Sequence, residues 1–256
     1  MIFQKTFTRN IKIEPIGTTK IIKRLQEIPK ADFKTKEIKI TEKKYFPKAE
    51  RREVDFKSGK IQPEFLGETV YIVGGGPSLK DFNFDLLKGK HVIAINRAFE
   101  FVPFAEYLYW SDIGFYEKYK EGIHQFKGKK VTNKNYPLRN DIINLENTGK
   151  LGLETNPSAI KHGGNSGYAA INLAYHLGAK TIVLLGYDMQ KDGKESHFHG
   201  GYGRKVDNSL YDNLFLPHFQ SLVEPLRDKK VVVYNANINS KLECFTKCDI
   251  DFALNL

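Results

Sequence analysis

Two histidines one residue apart, His197 and His199, and a run of three glycines, Gly74 to Gly76, are the residues of this 256-residue chain with the most direct chemical use. Histidine titrates near neutral pH, so one on a loop beside an anion site suits a general base that takes the proton of a hydroxyl acceptor. The pair lies in a Gly- and Lys-rich loop with Ser196, Gly200, Gly201 and Tyr202 around it. It has two other readings: a metal site, which finds no cysteine or convincing acidic partner nearby, and two solvated loop histidines. Spacing alone leaves the base and the solvated pair level.

The glycines follow Val70-Tyr71-Ile72-Val73 and precede Pro77-Ser78-Leu79. A β-type apolar run that breaks into residues without Cβ marks a strand delivering backbone to a ligand. Outward amides there would hold an anion, and Ser78 would cap a helix over Leu79 to Leu87. A tight turn that binds nothing is the alternative, but it does not require three consecutive glycines and their cost in chain entropy.

Such groups meet only if the fold brings strand ends together. From Glu68 onward strand and helix patterns alternate, which predicts an α/β fold, a Rossmann-like doubly wound and mostly parallel sheet. The predicted strands are Thr69 to Val73, His91 to Ile95, Tyr107 to Trp110, Lys130 to Thr132, Thr181 to Leu185 and Val231 to Tyr234. Helices are predicted over Gly114 to Lys120, Ser166 to Leu177 and around Leu214 to Leu226, with a long loop over Gly149 to Gly164. Ligands of such sheets sit at the carboxyl ends of the strands. The polar residues there are Gly74-Gly75-Gly76-Pro77-Ser78, Asn96-Arg97, Ser111-Asp112 and Gly186-Tyr187-Asp188, with Asn165-Ser166-Gly167 opening the long helix. Five ends thus converge on one rim. Asn96 can bond a sugar or base edge or simply end a turn; the Asn165-Ser166-Gly167 start can hold a phosphate as well as cap its helix.

Several chemistries are excluded or set aside. The glycine run lacks the third glycine of the dinucleotide fingerprint, Leu79 standing there, and no GxxxxGK[ST] exists. Asp249-Ile250-Asp251 looks like a metal-binding DxD but follows the last strand and reads as solvated charge. Forty Lys+Arg against thirty Asp+Glu give a formal charge of +10, which favours a polyanionic partner without naming one; a solvated lysine-rich surface is the preferred reading and a nucleic-acid acceptor stays open. Cys244 and Cys248 suit free thiols, no membrane span or signal peptide is evident, and a cytoplasmic location is expected. Residues 1–66, lysine-rich and nearly glycine-free, read as an N-terminal arm that packs on the main domain or on a second copy, giving a homo-oligomer; residues 67–256 form the catalytic domain.

Together, Ile72 to Leu79, Ile95-Asn96, Gly164 to Gly167 and Leu177 to Asp188 resemble the bacterial lipooligosaccharide sialyltransferases and the motility-accessory-factor flagellin glycosyltransferases. That group also includes the archaeal-type 6-hydroxymethyl-dihydropterin pyrophosphokinases, and the chain is similar to small phage-encoded proteins sharing the glycine loop and a His-x-His-Gly segment. The resemblance covers about residues 68–240. It implies a GT-A-like variant of the Rossmann sheet that transfers a sugar from a CMP- or UDP-type nucleotide-sugar to a hydroxyl of a glycan, protein or hydroxylated DNA base, with no metal and no cofactor beyond that co-substrate. It implies donor contacts by the glycine loop, Asn96, Ser166 and Asp188, and a histidine base, His197 before His199. The family's phosphate-holding tyrosines have Tyr202 and Tyr211 as candidates. Where the sialyltransferases carry an asparagine in the loop this chain has Gly75, which leaves the donor's identity open. Pyrophosphoryl transfer from ATP to a pterin-like alcohol and a non-catalytic nucleotide-binding or phage assembly role are the alternatives.

Overall fold

The computed structural model describes residues 59–256 except 135–138, 194 and 201–207. The expected arm therefore lies outside the described residues as far as residue 58. Residues 59–66, assigned to that arm from sequence, pack into the domain: Ile61 and Phe65 are buried, and the Phe65 ring stacks on His91 at 4.1 Å.

Eight strands make one parallel sheet in the order β10-β9-β8-β1-β2-β3-β4-β5. They are β1 Thr69–Val73, β2 His91–Ile95, β3 Tyr107–Trp110, β4 Lys129–Thr132, β5 Ile142–Asn144, β8 Thr181–Leu185, β9 Val232–Asn235 and β10 Thr246–Lys247. Strands β6 (Glu146–Gly149) and β7 (Ala159–Lys161) pair separately, at the start and end of the segment read as one long loop. The helices are α1 (Ile113–Gln125), α2 (Ser166–His176), α3 (Leu216–Asp228) and α4 (Ile250–Leu254). A short turn Asn208–Leu210 and a π-helical stretch Tyr211–Phe215 lead into α3.

The pleat of β1 divides the core. Val70 and Ile72 face a cluster with Ala170, Leu173, Phe219 and Leu222 of α2 and α3, whereas Tyr71 and Val73 face one with Phe115, Ile123 and Ala253 of α1 and α4. Each strand of the centre is thus buried on both faces, as its unbroken apolar sequence requires. The doubly wound expectation holds. Strand order runs away from β1 in both directions, to β2 on one side and β8 on the other, so the switch point lies between β1 and β8.

The helix expected over Leu79 to Leu87 is replaced by two 3-10 turns, Pro77–Leu79 and Phe84–Leu87, the second capped by Asn83. Ser78 caps neither, because its hydroxyl is engaged elsewhere. The charge excess divides unevenly: residues 1–58 hold 16 Lys+Arg against 8 Asp+Glu, and residues 59–256 hold 24 against 22. The domain that carries the cleft is nearly neutral.

Candidate functional site

A cleft of about 910 Å³ opens at the carboxyl ends of β8, β1, β2, β3 and β4. Of the residues singled out from sequence, Gly74, Gly75, Gly76, Asn96, Ser111, Asp112, Asn165, Ser166, Gly167, Asp188, His197 and Tyr211 line it. Pro77, Ser78 and His199 do not, and Tyr202 lies outside the described residues.

The glycine loop is tied down at the switch point. Gly74 N–H donates to Leu185 O at 2.8 Å and Gly76 N–H to Gly186 O at 2.9 Å, continuing the β1–β8 ladder past both strands. The Asp188 carboxylate accepts Ser78 N–H at 3.1 Å and Ser78 Oγ–H at 2.9 Å, and takes an amide hydrogen from Asn237 at 2.9 Å. Burial raises its pKa above the ordinary 3.8 while these donors pull the other way. This corrects two expectations. The loop amides do not fan outward as a nest, since Gly75 N–H alone among them has no partner in the described residues; and Ser78, expected to cap a helix, is bonded to Asp188, whose carboxylate also lines the cleft. A Cβ on Gly76 would stand 1.7 Å from Asp188 Oδ2, so the third glycine exists to admit that carboxylate.

His197 occupies the place of a side chain at Gly75. Its Cδ2 lies 2.8 Å from where a Cβ on Gly75 would stand, and Phe198 N–H donates to Gly75 O at 3.0 Å. Ser196 Oγ is 2.9 Å from His197 Nδ1. Burial lowers the His197 pKa below 6.5, so the ring is neutral at neutral pH. His199 stacks behind it at 5.4 Å and is pushed down to about 4, by burial first and then by the charge of Arg97. The loop is held from outside by the Arg97 guanidinium on Gly200 O and by Phe198 against Phe84 and Phe101.

Opposite, α2 begins at the cleft. Asn165 Oδ1 caps Tyr168 N–H at 2.8 Å, which leaves the amides of Ser166 and Gly167 as orphan donors of the first turn. Asn165 Nδ2 is buried with no hydrogen-bond partner among the described residues. Ser166 Oγ–H donates to Asn96 Oδ1 at 3.4 Å, and Asn96 holds a left-handed backbone (φ 49°), a conformation asparagine tolerates and that recurs at functional sites. Behind them Tyr187 Oη–H donates to Gly167 O at 3.0 Å. The positions of Gly163 and Gly164 follow from packing: both have positive φ, and a Cβ on Gly163 would meet the Tyr168 ring at 2.1 Å.

Ser111 Oγ and Tyr109 Oη bond at 2.9 Å, and Asp112 Oδ1 caps α1 through Phe115 N–H at 3.0 Å, so both are engaged at the rim. Asp249, read as solvated charge, caps α4 through Phe252 N–H at 2.7 Å. Cys244 and Cys248 are free thiols. Among the described residues no group of three His, Cys, Asp or Glu side chains could hold a metal ion, and no helix is long and apolar enough to cross a membrane.

Sequence reasoning missed Lys118 and Tyr119 of α1, Lys134 after β4, His162 before the glycine pair, and Leu214 and Phe215 of the π segment, all of which line the cleft. Lys134 was within reach of the rule applied to the other strand ends. Lys118 carried no such signal, being one lysine of a helical face.

No family model and no curated protein matches the chain. Three solved structures of a bacterial sialyltransferase are similar to it. One is CstII from Campylobacter jejuni with the substrate analogue cytidine-5'-monophosphate (TM-score 0.40, 18% identity, 70% of this chain and 84% of that chain). The second is CST-II with a trisaccharide acceptor and CMP (0.40, 18%, 70% and 85%), and the third is the Campylobacter jejuni enzyme with CMP-3FNeuAc (0.39, 19%, 70% and 85%).

Proposed function

We propose that this chain is a glycosyltransferase that moves a sugar from a nucleotide-sugar to a hydroxyl acceptor, with His197 as general base. The observation that carries the reading is the neutral His197 ring lying on Gly75, at the switch point and on the cleft wall, beside the loop's unpartnered amide. A base and an anion site in contact are what displacement at a sugar carbon bonded to phosphate requires.

In the step, the acceptor oxygen bonds to the sugar carbon as the bond from that carbon to the phosphate oxygen breaks. The bonding pair leaves with the phosphate, and His197 Nε2 takes the acceptor's proton. Ser196 Oγ, 2.9 Å from Nδ1, can accept the Nδ1–H of the tautomer that leaves Nε2 basic. Gly75 N–H and the first amides of α2 supply hydrogen bonds to the negative charge that develops on the phosphate. Asp188 acts one layer out, holding Ser78 and so the loop. His199 is a packing neighbour of the base. No metal is assigned a role.

The test begins with thermal shift and calorimetry against CMP, UMP, GMP and AMP, since a ligand of the folded state raises its melting temperature. At least one is expected to bind, and the matching nucleotide-sugar is expected to be hydrolysed or transferred in EDTA. His197→Gln should reduce turnover about 100-fold or more while leaving nucleotide affinity within about twofold. Binding without any turnover of CMP-, UDP-, GDP- or ADP-linked sugars would overturn the enzyme reading, and turnover of ATP that EDTA abolishes would replace it with pyrophosphoryl transfer.

A further inference from the structure

The wall of the cleft away from the glycine loop carries basic groups that the reaction above leaves unused. Lys134 follows β4, His162 follows β7, and both line the cleft. Burial first, and then the charges of Lys134, Lys150 and His218, hold the His162 pKa below 6.5, so these groups lie within electrostatic reach of one another. His162 Nδ1 accepts Gly164 N–H at 3.0 Å, which puts the ring proton on Nε2 as a donor. His218 Nδ1–H donates to Gly163 O at 2.6 Å and fixes the turn from behind.

Among the described residues no acid pairs with the lysines of this cluster. Of the carboxylates on the cleft wall, Asp188 is committed to Ser78 and Asn237, and Asp112 caps α1. Lys134 and Lys150 form no ion pair among the described residues. A lysine without a counter-ion on a concave wall, beside a ring N–H donor, favours an anionic ligand.

Lys134 stands apart from the glycine loop: β4 lies three strands from β1, and at about 4.8 Å per strand its end is roughly 14 Å away. We propose that Lys134 and His162 form a second anion site of the cleft, one that takes a phosphate or carboxylate group of a substrate. The transfer in which that substrate takes part rests on the glycosyltransferase reading; the anion site does not.

The test is histidine-labelled NMR on the full chain, His162 being assigned with His162→Gln, during titration with inorganic phosphate and, separately, with acetate. Saturable movement of the His162 resonances is expected with at least one of them, and the stronger response names the chemistry. Lys134→Gln, with an unchanged melting temperature, should weaken that binding about tenfold. Resonances that stay still with both anions, or equal affinity in Lys134→Gln, would overturn the site. Nucleoside monophosphate binding on the same samples separates the two ideas: its absence with a responding His162 sinks the donor reading alone, and its presence with a silent His162 sinks the anion site alone.

Discussion

Replacing Asp188 separates a clamp from a ligand contact. In Asp188→Ala three donors lose their acceptor: the Ser78 amide, the Ser78 hydroxyl and the Asn237 side-chain amide. Hydrogen bonds to a charged group contribute about 1.5–3 kcal/mol each, and the exposed Ser78 recovers part of its share from water, so the net loss is about 3 kcal/mol. For a domain of this size that lowers Tm by roughly 6–12 °C. Asp188→Asn keeps the volume and one carbonyl oxygen, lets the new amide donate to Ser78 Oγ, and avoids the burial that raises the acid's pKa, so its cost is about 1 kcal/mol or less. Melting followed by circular dichroism, with nucleotide affinity by calorimetry, reads both variants. The clamp predicts a large Tm loss in the alanine variant, a small one in the asparagine variant, and near-parental nucleotide affinity in the latter. An asparagine variant that melts like the parent but has lost nucleotide binding would refute the argument and return Asp188 to the ligand.

The two neighbouring glycines should respond differently. Gly75→Ala meets only the edge of His197, which can yield, so Tm is expected to stay within about 2 °C while kcat drops about tenfold; Gly76→Ala meets the Asp188 carboxylate and the Gly186 carbonyl, so folding itself should suffer, by about 3 kcal/mol on denaturant titration. Because burial holds His197 neutral, kcat/KM is expected to rise with pH along an acid limb whose midpoint lies below 6.5, and a midpoint above 6.5 would speak against it as the base. The same direction governs stability: both loop histidines are depressed in the folded state, so their contribution is complete above pH 6.5 and is lost as pH falls toward the folded values, about 4 for His199. Gly163→Ala combines a positive φ with overlap on Tyr168 and should cost about 2–3 kcal/mol by the same titration.

What the residues announced and what they concealed have physical causes. Unbroken apolar runs such as Thr181 to Leu185 fit only a doubly covered strand, and five of the six predicted strands have the observed bounds or differ by one residue at one end. Strands β5, β6, β7 and β10 were not predicted: β6 (Glu-Asn-Thr-Gly) and β10 (Thr-Lys) hold no apolar residue, and β6 and β7 lay hidden at the ends of a presumed loop. Ser78 illustrates a second limit. Its place before Leu79 suits a cap, yet the decisive partner, Asp188, is 110 residues away and only the parallel pairing of β1 with β8 brings it there. Gly75 shows the same limit in reverse: three glycines read as freedom for a ligand, whereas two of them make room for side chains of this protein, His197 and Asp188. His162 was one unremarked histidine among several until folding set it beside Lys134.

The pairing of β1 with β8 has an effect on how this scaffold can change. The glycine turn, its carboxylate clamp and the histidine loop all hang from those two strands and brace one another, so a substitution in any of them disturbs the others. The ends of β3 and β4, with Lys118 and Lys134, hang from a different part of the sheet and touch the cleft without entering that bracing. Variation is therefore cheap on one side and expensive on the other. A library confined to Ser111, Gly114, Lys118 and Lys134 should retarget what is bound while leaving the reacting groups in register.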